Sequence, residues 1–312
     1  MPLHPQAERF LATWNALRQP PMESTPIEQT RKLLLSVGCG PLAGCPPLAH
    51  VEDRQIPGPD GPLRVRIYTP FGDGPFGVGF YFHGGGWVLN SVDTHDDVTR
   101  RLTAASGCKF VSVDYRLAPE HRYPAAVEDA FAALLWVAGN AAELQVDPQR
   151  IAVAGDSAGG NIAAALCLMT RDRGGPTIRQ QSLLYPITDC DLTRPSYIEN
   201  ADGYFLTASQ MRWFWDHYCP ELDLRREPYA SPLRGDLRGL PPALIYTAEY
   251  DPLRDEGDAY AAALQAAGVP VTLRQCAGLI HAFIRRVESF DAAKEAIREI
   301  GETLRRTIGK PQ

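Results

Sequence analysis

From residue 78 onward the chain repeats one pattern, a short apolar run followed by a longer stretch of helical periodicity. The runs Val78-Gly79-Phe80-Tyr81-Phe82, Phe110-Val111-Ser112-Val113 and Ile151-Ala152-Val153-Ala154 read as strands. So do Ser182-Leu183-Leu184-Tyr185, Ala243-Leu244-Ile245-Tyr246-Thr247 and Val271-Thr272-Leu273-Arg274. Helical stretches follow at about 92–106, 125–138, 161–169, 253–267 and 286–307. Strands apolar on both sides must be covered on both faces, and helical crossovers between them make the sheet parallel. Ahead of this series, 50–56 and 63–68 are two further strand patterns joined by Pro57-Gly58-Pro59-Asp60-Gly61-Pro62. The alternation in Arg64-Val65-Arg66-Ile67-Tyr68 predicts an antiparallel hairpin at the sheet edge. The expectation is an α/β fold with a mainly parallel, eight-stranded sheet and helices on both faces. In such sheets chemistry gathers at the carboxyl ends of the strands.

Two regions fall outside the alternation. Residues 6–18 and about 26–37 read as amphipathic helices, with faces Phe10, Leu11, Trp14, Leu17 and Ile27, Leu33, Leu34, Val37. Pro20-Pro21 separates them, and Gly38-Cys39-Gly40-Pro41 through Pro46-Pro47 is rich in breakers and reads as a linker. The connection from Tyr185 to Ala243 is too long for a plain loop and carries the aromatic run Met211-Arg212-Trp213-Phe214-Trp215-Asp216-His217-Tyr218. Connections of that kind are usually lids or substrate-facing insertions. We therefore expect a helical cap from residues 1–49 and 188–228 over a core of 50–187 and 229–312.

Composition narrows the partners. A hydrophobic content of 45% is ample for the core of so long a chain, and the net charge of −6 provides no basic field for nucleic acid. No apolar run approaches the roughly 20 residues of a membrane helix. The N-terminus lacks a charged-then-apolar leader pattern, so a cytoplasmic location is expected. Seven scattered cysteines without C-x-x-C fit free thiols better than a disulfide frame or a zinc site. No metal is expected.

The chemistry starts at Gly155-Asp156-Ser157-Ala158-Gly159-Gly160, between the strand ending at Ala154 and the helix after it. In G-x-S-x-G a side chain at 155 or 159 would strike the adjoining backbone, while the turn lifts the Ser157 hydroxyl to the top of the sheet. The plainer alternative is a capping serine in a Gly-rich turn. A serine nucleophile needs a base, a group to orient that base, and fixed donors for the oxyanion. His4, His50, His121 and His217 lie in flexible, edge, loop or helical surroundings, and His95 in Asp93-Thr94-His95-Asp96-Asp97 reads as a helix start or, less simply, a metal ligand. His281 follows the last strand after the loop Cys276-Ala277-Gly278-Leu279-Ile280, as a base should. Asp251 comes first after the strand 243–247 and is the expected orienting acid. It is also a good N-cap ahead of Pro252, and Glu249, Asp255 and Glu256 compete with it. The loop His83-Gly84-Gly85-Gly86-Trp87 can turn backbone N–H groups toward a ligand, and it lacks the lysine and serine of a phosphate-binding loop. The N–H groups of Gly84, Gly85 and Ala158 are the expected oxyanion donors. Trp87, Tyr185, Phe205, Leu206, Ile280 and Phe283 are expected around the substrate, a place in the core being the alternative for each, with Asp156 serving the elbow through loop contacts at the substrate site.

These motifs resemble the hormone-sensitive-lipase family of α/β-hydrolases, especially its bacterial esterases. The matching segments are Val51-Glu52-Asp53-Arg54, Ile56-Pro57-Gly58-Pro59, the glycine loop after His83, and Asp114-Tyr115-Arg116-Leu117-Ala118-Pro119-Glu120. The serine turn, the run from Asp251 to Glu256, and His281 with Phe283 complete the match, which spans about residue 50 to the C-terminus. The resemblance implies Ser157 as nucleophile, His281 as base, Asp251 as its orienter, and a cap over the acyl site. It implies a carboxylesterase for small-molecule esters of short to medium acyl chains, cofactor-free, with homodimers through the last strand and its flanking helix. The chain departs from the family at Ala282, where glycine is common, and in its first fifty or so residues. A non-catalytic ligand receptor on the same fold, and a hydrolase of amides, lactones or acetylated xenobiotics, are the competing readings.

Overall fold

The computed structural model describes residues 2–18, 20–38 and 44–310. Its strands are β1 (His50–Gly58), β2 (Gly61–Thr69), β3 (Phe76–Phe82), β4 (Lys109–Val113), β5 (Val146–Asp156), β6 (Ile178–Leu184), β7 (Ala243–Tyr250) and β8 (Val271–Ile280). They form one eight-stranded sheet in the order β1-β2-β4-β3-β5-β6-β7-β8. β2 pairs antiparallel with both β1 and β4, and every other pairing is parallel. The edge hairpin and the mainly parallel pairing are those the alternation predicts; the strand order comes from the tertiary structure.

The helices are α1 (Pro5–Ala16), α2 (Ile27–Gly38), α3 (Asp96–Ser106), α4 (Ala125–Gly139), α5 (Ala158–Arg173), α6 (Pro195–Glu199), α7 (Ala208–Tyr218), α8 (Arg254–Ala266) and α9 (Asp291–Ile308). Side chains alternate across each strand, and the sheet therefore has two apolar layers. Val78, Phe80, Ile151 and Val153 face α4, α5 and α8. Tyr81, Ala152 and Ala154 face α3 and α9, where Ile297, Ile300 and Leu304 continue the layer. β3 and β4 are buried along their whole length, as expected of central strands covered on both sides.

Three boundaries differ from the sequence expectation. β8 does not stop at Arg274 but runs to Ile280, with Cys276 opposite Ala248 and Ile280 opposite Tyr250. A register shift between Ala248 and Tyr250 keeps the pairing going, and Gly278 takes φ 69°, so the glycine that looked like a loop signal is a bulge within a strand. β5 begins at Val146, ahead of its apolar segment. The last helix starts at Asp291, after a short 3-10 turn at Phe283–Arg285. The expected linker through Cys39-Gly40-Pro41, and the side chain of Val37, lie outside the described residues.

Candidate active site

Ser157 stands between the last residue of β5 and the first turn of α5, with φ 57° and ψ −120°. A Cβ at Gly159 would meet the carbonyl oxygen of Phe82, and one at Gly155 the carbonyl oxygen of Gly159. Only glycine lets the helix start this close to β3. Ser157 occupies the N-cap position, yet its side chain makes no capping bond. Its backbone is held instead: the N–H donates to Leu184 O at 2.8 Å, and its carbonyl accepts from Asn161 and Ile187. The hydroxyl is thereby left for something other than the helix.

What it meets is His281, whose Nε2 lies 3.0 Å from Ser157 Oγ. The other ring nitrogen, Nδ1, lies 2.7 Å from Asp251 Oδ2. Nδ1–H donating to the carboxylate leaves Nε2 as the acceptor for the serine proton. Asp251 is fully buried, and its second oxygen accepts the N–H of Leu253 at 2.9 Å, so it serves the helix start and the histidine together. The competing acids point elsewhere. Glu249 accepts from Gly278 N, Asp255 from Ser196 N, and Glu256 from Thr188 N. Of the other histidines, His4, His50 and His121 are exposed, and His217 Nδ1 bonds its own helix at Trp213 O. His95 is buried, its Nε2 3.4 Å from Asp156 Oδ1, and no group of three or more metal-ligating side chains occurs among the described residues.

The glycine loop requires one correction. Gly84 N–H donates to Asp156 Oδ1 at 2.9 Å, and Gly84 O accepts from Asn90 Nδ2 at the same distance. Its N–H is therefore committed to the elbow and does not face the space above Ser157. Gly85 and Gly86 line the cleft there, with φ 127° and 60°. Their N–H groups, with that of Ala158 at the start of α5, take no part in the hydrogen bonds of the loop. A Cβ at Gly86 would fall on the ring of Phe214, so the same residue must be small to admit α7. His83, beside the loop, stacks on Tyr115 with ring centroids 4.2 Å apart. Burial, with His95 nearby, pushes its imidazole down to about 4, leaving it neutral near pH 7.

Comparison with known proteins bears on the whole chain. A family model described as alpha/beta hydrolase fold matches residues 79–285. The chain belongs to this α/β-hydrolase family. Within it the hormone-sensitive-lipase resemblance holds. The chain is 46% identical over 269 residues to carboxylesterase NlhH of Mycobacterium tuberculosis, covering 84% of each protein. It is 37% identical over 289 residues to an arylesterase of Saccharolobus solfataricus, covering 91% of this chain and 93% of that one. Among solved structures, the hyperthermophilic esterase of Pyrobaculum calidifontis superposes with a TM-score of 0.94 at 43% identity, covering 98% of this chain and 99% of that one.

The hydrolase cleft opens over Ser157 and His281. Of the residues expected around the substrate, Phe205, Leu206 and Asp156 line it. Four others do not, and each is a correction. Trp87 lies beneath the loop, stacked on Tyr218 at 4.1 Å with its Nε1 donating to Asn161 Oδ1. Tyr185 backs the His281 ring at 4.6 Å, and Phe283 packs edge-on against Tyr185. Ile280 is buried where β8 pairs with Tyr250. Among the wall residues that sequence reasoning missed are Trp14, Met22, Leu34, Leu89, Phe214 and Arg285. Trp14, Leu34 and Phe214 lay in segments already marked as cap; Arg285 had no local signal.

Asp156 is the polar centre below the cleft. Tyr81 OH donates to it at 2.8 Å and Gly84 N–H at 2.9 Å, and His95 Nε2 lies 3.4 Å away. Burial works against its charge, but His95, Arg285 and the Tyr81 hydroxyl together hold the carboxyl well below its ordinary range.

Proposed function

We propose that the chain hydrolyses carboxylic esters of short to medium acyl chains through an acyl-enzyme formed on Ser157. That it is a carboxylic ester hydrolase is in keeping with its family and with relatives named carboxylesterase, arylesterase and ethyl acetate hydrolase. The observation that carries the residue assignment is the unbroken chain Ser157 Oγ, His281, Asp251, at 3.0 and 2.7 Å, on the floor of a cleft. In this reading His281 takes the Ser157 proton as the hydroxyl attacks the ester carbonyl, and Asp251 orients the ring and stabilises its charged form. The oxyanion is held by the N–H groups of Gly85, Gly86 and Ala158, which replace the Gly84, Gly85 and Ala158 set expected from sequence. His281 then protonates the leaving alcohol and activates the water that releases the acid.

The same reading extends to the cap. Trp14, Met22 and Leu34 come from residues 1–49, and Phe205, Leu206 and Phe214 from residues 188–228, and all six line the cleft over the core of 50–187 and 229–312. No helix among the described residues is long and apolar enough to cross a membrane. β8 ends the sheet, and with a flanking helix it is the edge through which we propose a homodimer.

The test is pre-steady-state hydrolysis of 4-nitrophenyl butyrate. Wild type is expected to give a burst of nitrophenolate equal to the enzyme present, and Ser157→Ala none, with an unchanged circular dichroism spectrum. A wild type without a burst or turnover favours the receptor reading, and turnover surviving Ser157→Ala sinks the assignment. Amides and lactones beside esters of increasing length define the leaving group and acyl range.

A further inference from the structure

The walls of the cleft are mostly apolar, from Trp14 and Leu34 on one side to Phe205 and Phe214 on the other. Arg285 interrupts them. It ends the short turn Phe283–Arg285 and lies four residues after His281 in sequence. A guanidinium keeps its charge at any working pH and presents donors in a rigid fork. Leaving such a group half-buried and unpaired costs free energy, so folded proteins normally give it a carboxylate. This chain does so elsewhere: Arg194 is paired with Asp189, Arg225 with Asp216, and Arg254 with Glu199 and Asp255.

Arg285 makes no ion pair or side-chain hydrogen bond with a carboxylate among the described residues; it acts on the Asp156 carboxyl only across a longer gap. Its Nε is buried without a hydrogen bond, its terminal nitrogens make none either, and the residue lines the cleft. The acid that shares the cleft wall, Asp156, accepts instead from Tyr81 OH and Gly84 N–H, with His95 Nε2 3.4 Å away. A cation with free donors in an apolar cleft is the kind of sparse polar group that selects a ligand.

We propose that Arg285 is a specificity-determining residue that binds an anionic substituent of the substrate, so that the natural substrates are esters carrying a second, ionised carboxyl group. The planar fork takes a carboxylate through two parallel N–H···O bonds. The neutral ester function of the same molecule then lies over Ser157. The proposal rests on the Ser157 reading above, because the ester bond broken is the same one.

Two matched pairs of esters test it. Hydrogen glutarate and pentanoate esters of 4-nitrophenol place the charge on the acyl side; 4-acetoxybenzoate and phenyl acetate place it on the alcohol side. For Arg285→Met the ratio of kcat/KM, anionic over neutral, is expected to fall about tenfold in at least one pair, chiefly through KM. Arg285→Lys, which keeps a point charge without the fork, is expected to recover part of the ratio. A ratio unchanged in both pairs, or anionic and neutral esters falling together, overturns the proposal and leaves Arg285 a structural neighbour of Asp156. Loss of the burst on the neutral esters in wild type would instead overturn the Ser157 reading itself. Should Arg285→Met not fold, inhibition of wild type gives the same readout. Benzoate is expected to compete with the neutral ester far better than benzamide, and equal inhibition overturns the proposal.

Discussion

Ser157 and Ala282 both hold backbone conformations that L-residues rarely adopt, and both flank the reacting atoms. Ser157, at φ 57° and ψ −120°, is kept there by three backbone hydrogen bonds, from its N–H to Leu184 and to its carbonyl from Asn161 and Ile187. Strain of about 1–3 kcal/mol is typical of such sites and persists only where the surroundings over-determine it. Ala282 sits at φ 64° and ψ 21°, directly after His281. A left-handed alanine costs roughly 1–2 kcal/mol against glycine, part of which glycine returns through its freer unfolded chain. Ala282→Gly is therefore expected to raise stability by up to about 1 kcal/mol in denaturant melts. A loss of stability would mean that the packing of the alanine methyl, which is nearly buried, outweighs the backbone term.

At the scale of elements, the site depends on ties between segments far apart in sequence. Arg31 on α2 donates to Val88 O and Ala118 O, both at 2.8 Å, and pins the N-terminal segment to the glycine loop. Glu256 on α8 does the same for the other side. Its carboxyl accepts the N–H groups of Thr188 and Asp189 and meets the Tyr197 hydroxyl of α6 at 3.0 Å, just behind the loop that carries Asp251. Full burial pushes this carboxyl up to about 8, against an ordinary value of 4.5. The folded chain thus keeps a proton that the unfolded chain has released. The stability from this group is complete below pH 4.5 and is lost as pH rises through 8, by an amount on the order of a few kcal/mol. Glu256→Gln is expected to remove that slope, which chemical denaturation at a series of pH values between those limits measures. A slope identical to wild type would show that Glu256 is ionised throughout.

At the scale of the whole molecule, the sheet order brings the carboxyl ends of β3, β5, β7 and β8 to one edge, and each supplies one part of the site. The glycine loop follows β3, Ser157 follows β5, Asp251 follows β7 and His281 follows β8. The two apolar layers hold those ends in register. The opposite consequence of the order is that β8 is left as an edge, with Thr272, Arg274 and Gln275 exposed. Unpaired strand edges are templates for further pairing unless protected. Sedimentation velocity at micromolar concentration is expected to show a two-chain species, and a monomer across that range would reject pairing through β8.

Much of this was legible in the chain because the deciding signals are local. Strand and helix periods, the G-x-S-x-G turn, and the order glycine loop, Ser157, Asp251, His281 each depend on neighbours a few residues away. The end of β8 was not legible, because pairing to β7 across a bulge overrides a glycine that looks like a loop. Nor was the choice among Gly84, Gly85 and Gly86, since which N–H faces the cleft follows from successive backbone angles and from the claim Asp156 makes on the first of them. The cleft wall was the least legible part. Trp87, Tyr185, Ile280 and Phe283 look like pocket residues by proximity, but the direction of each side chain sends it into the core. Trp14, Phe214 and Arg285 reach the same cleft from three separate segments. Local sequence determined which chemistry the chain carries; the packing of distant segments, through side-chain direction, decided what surrounds it.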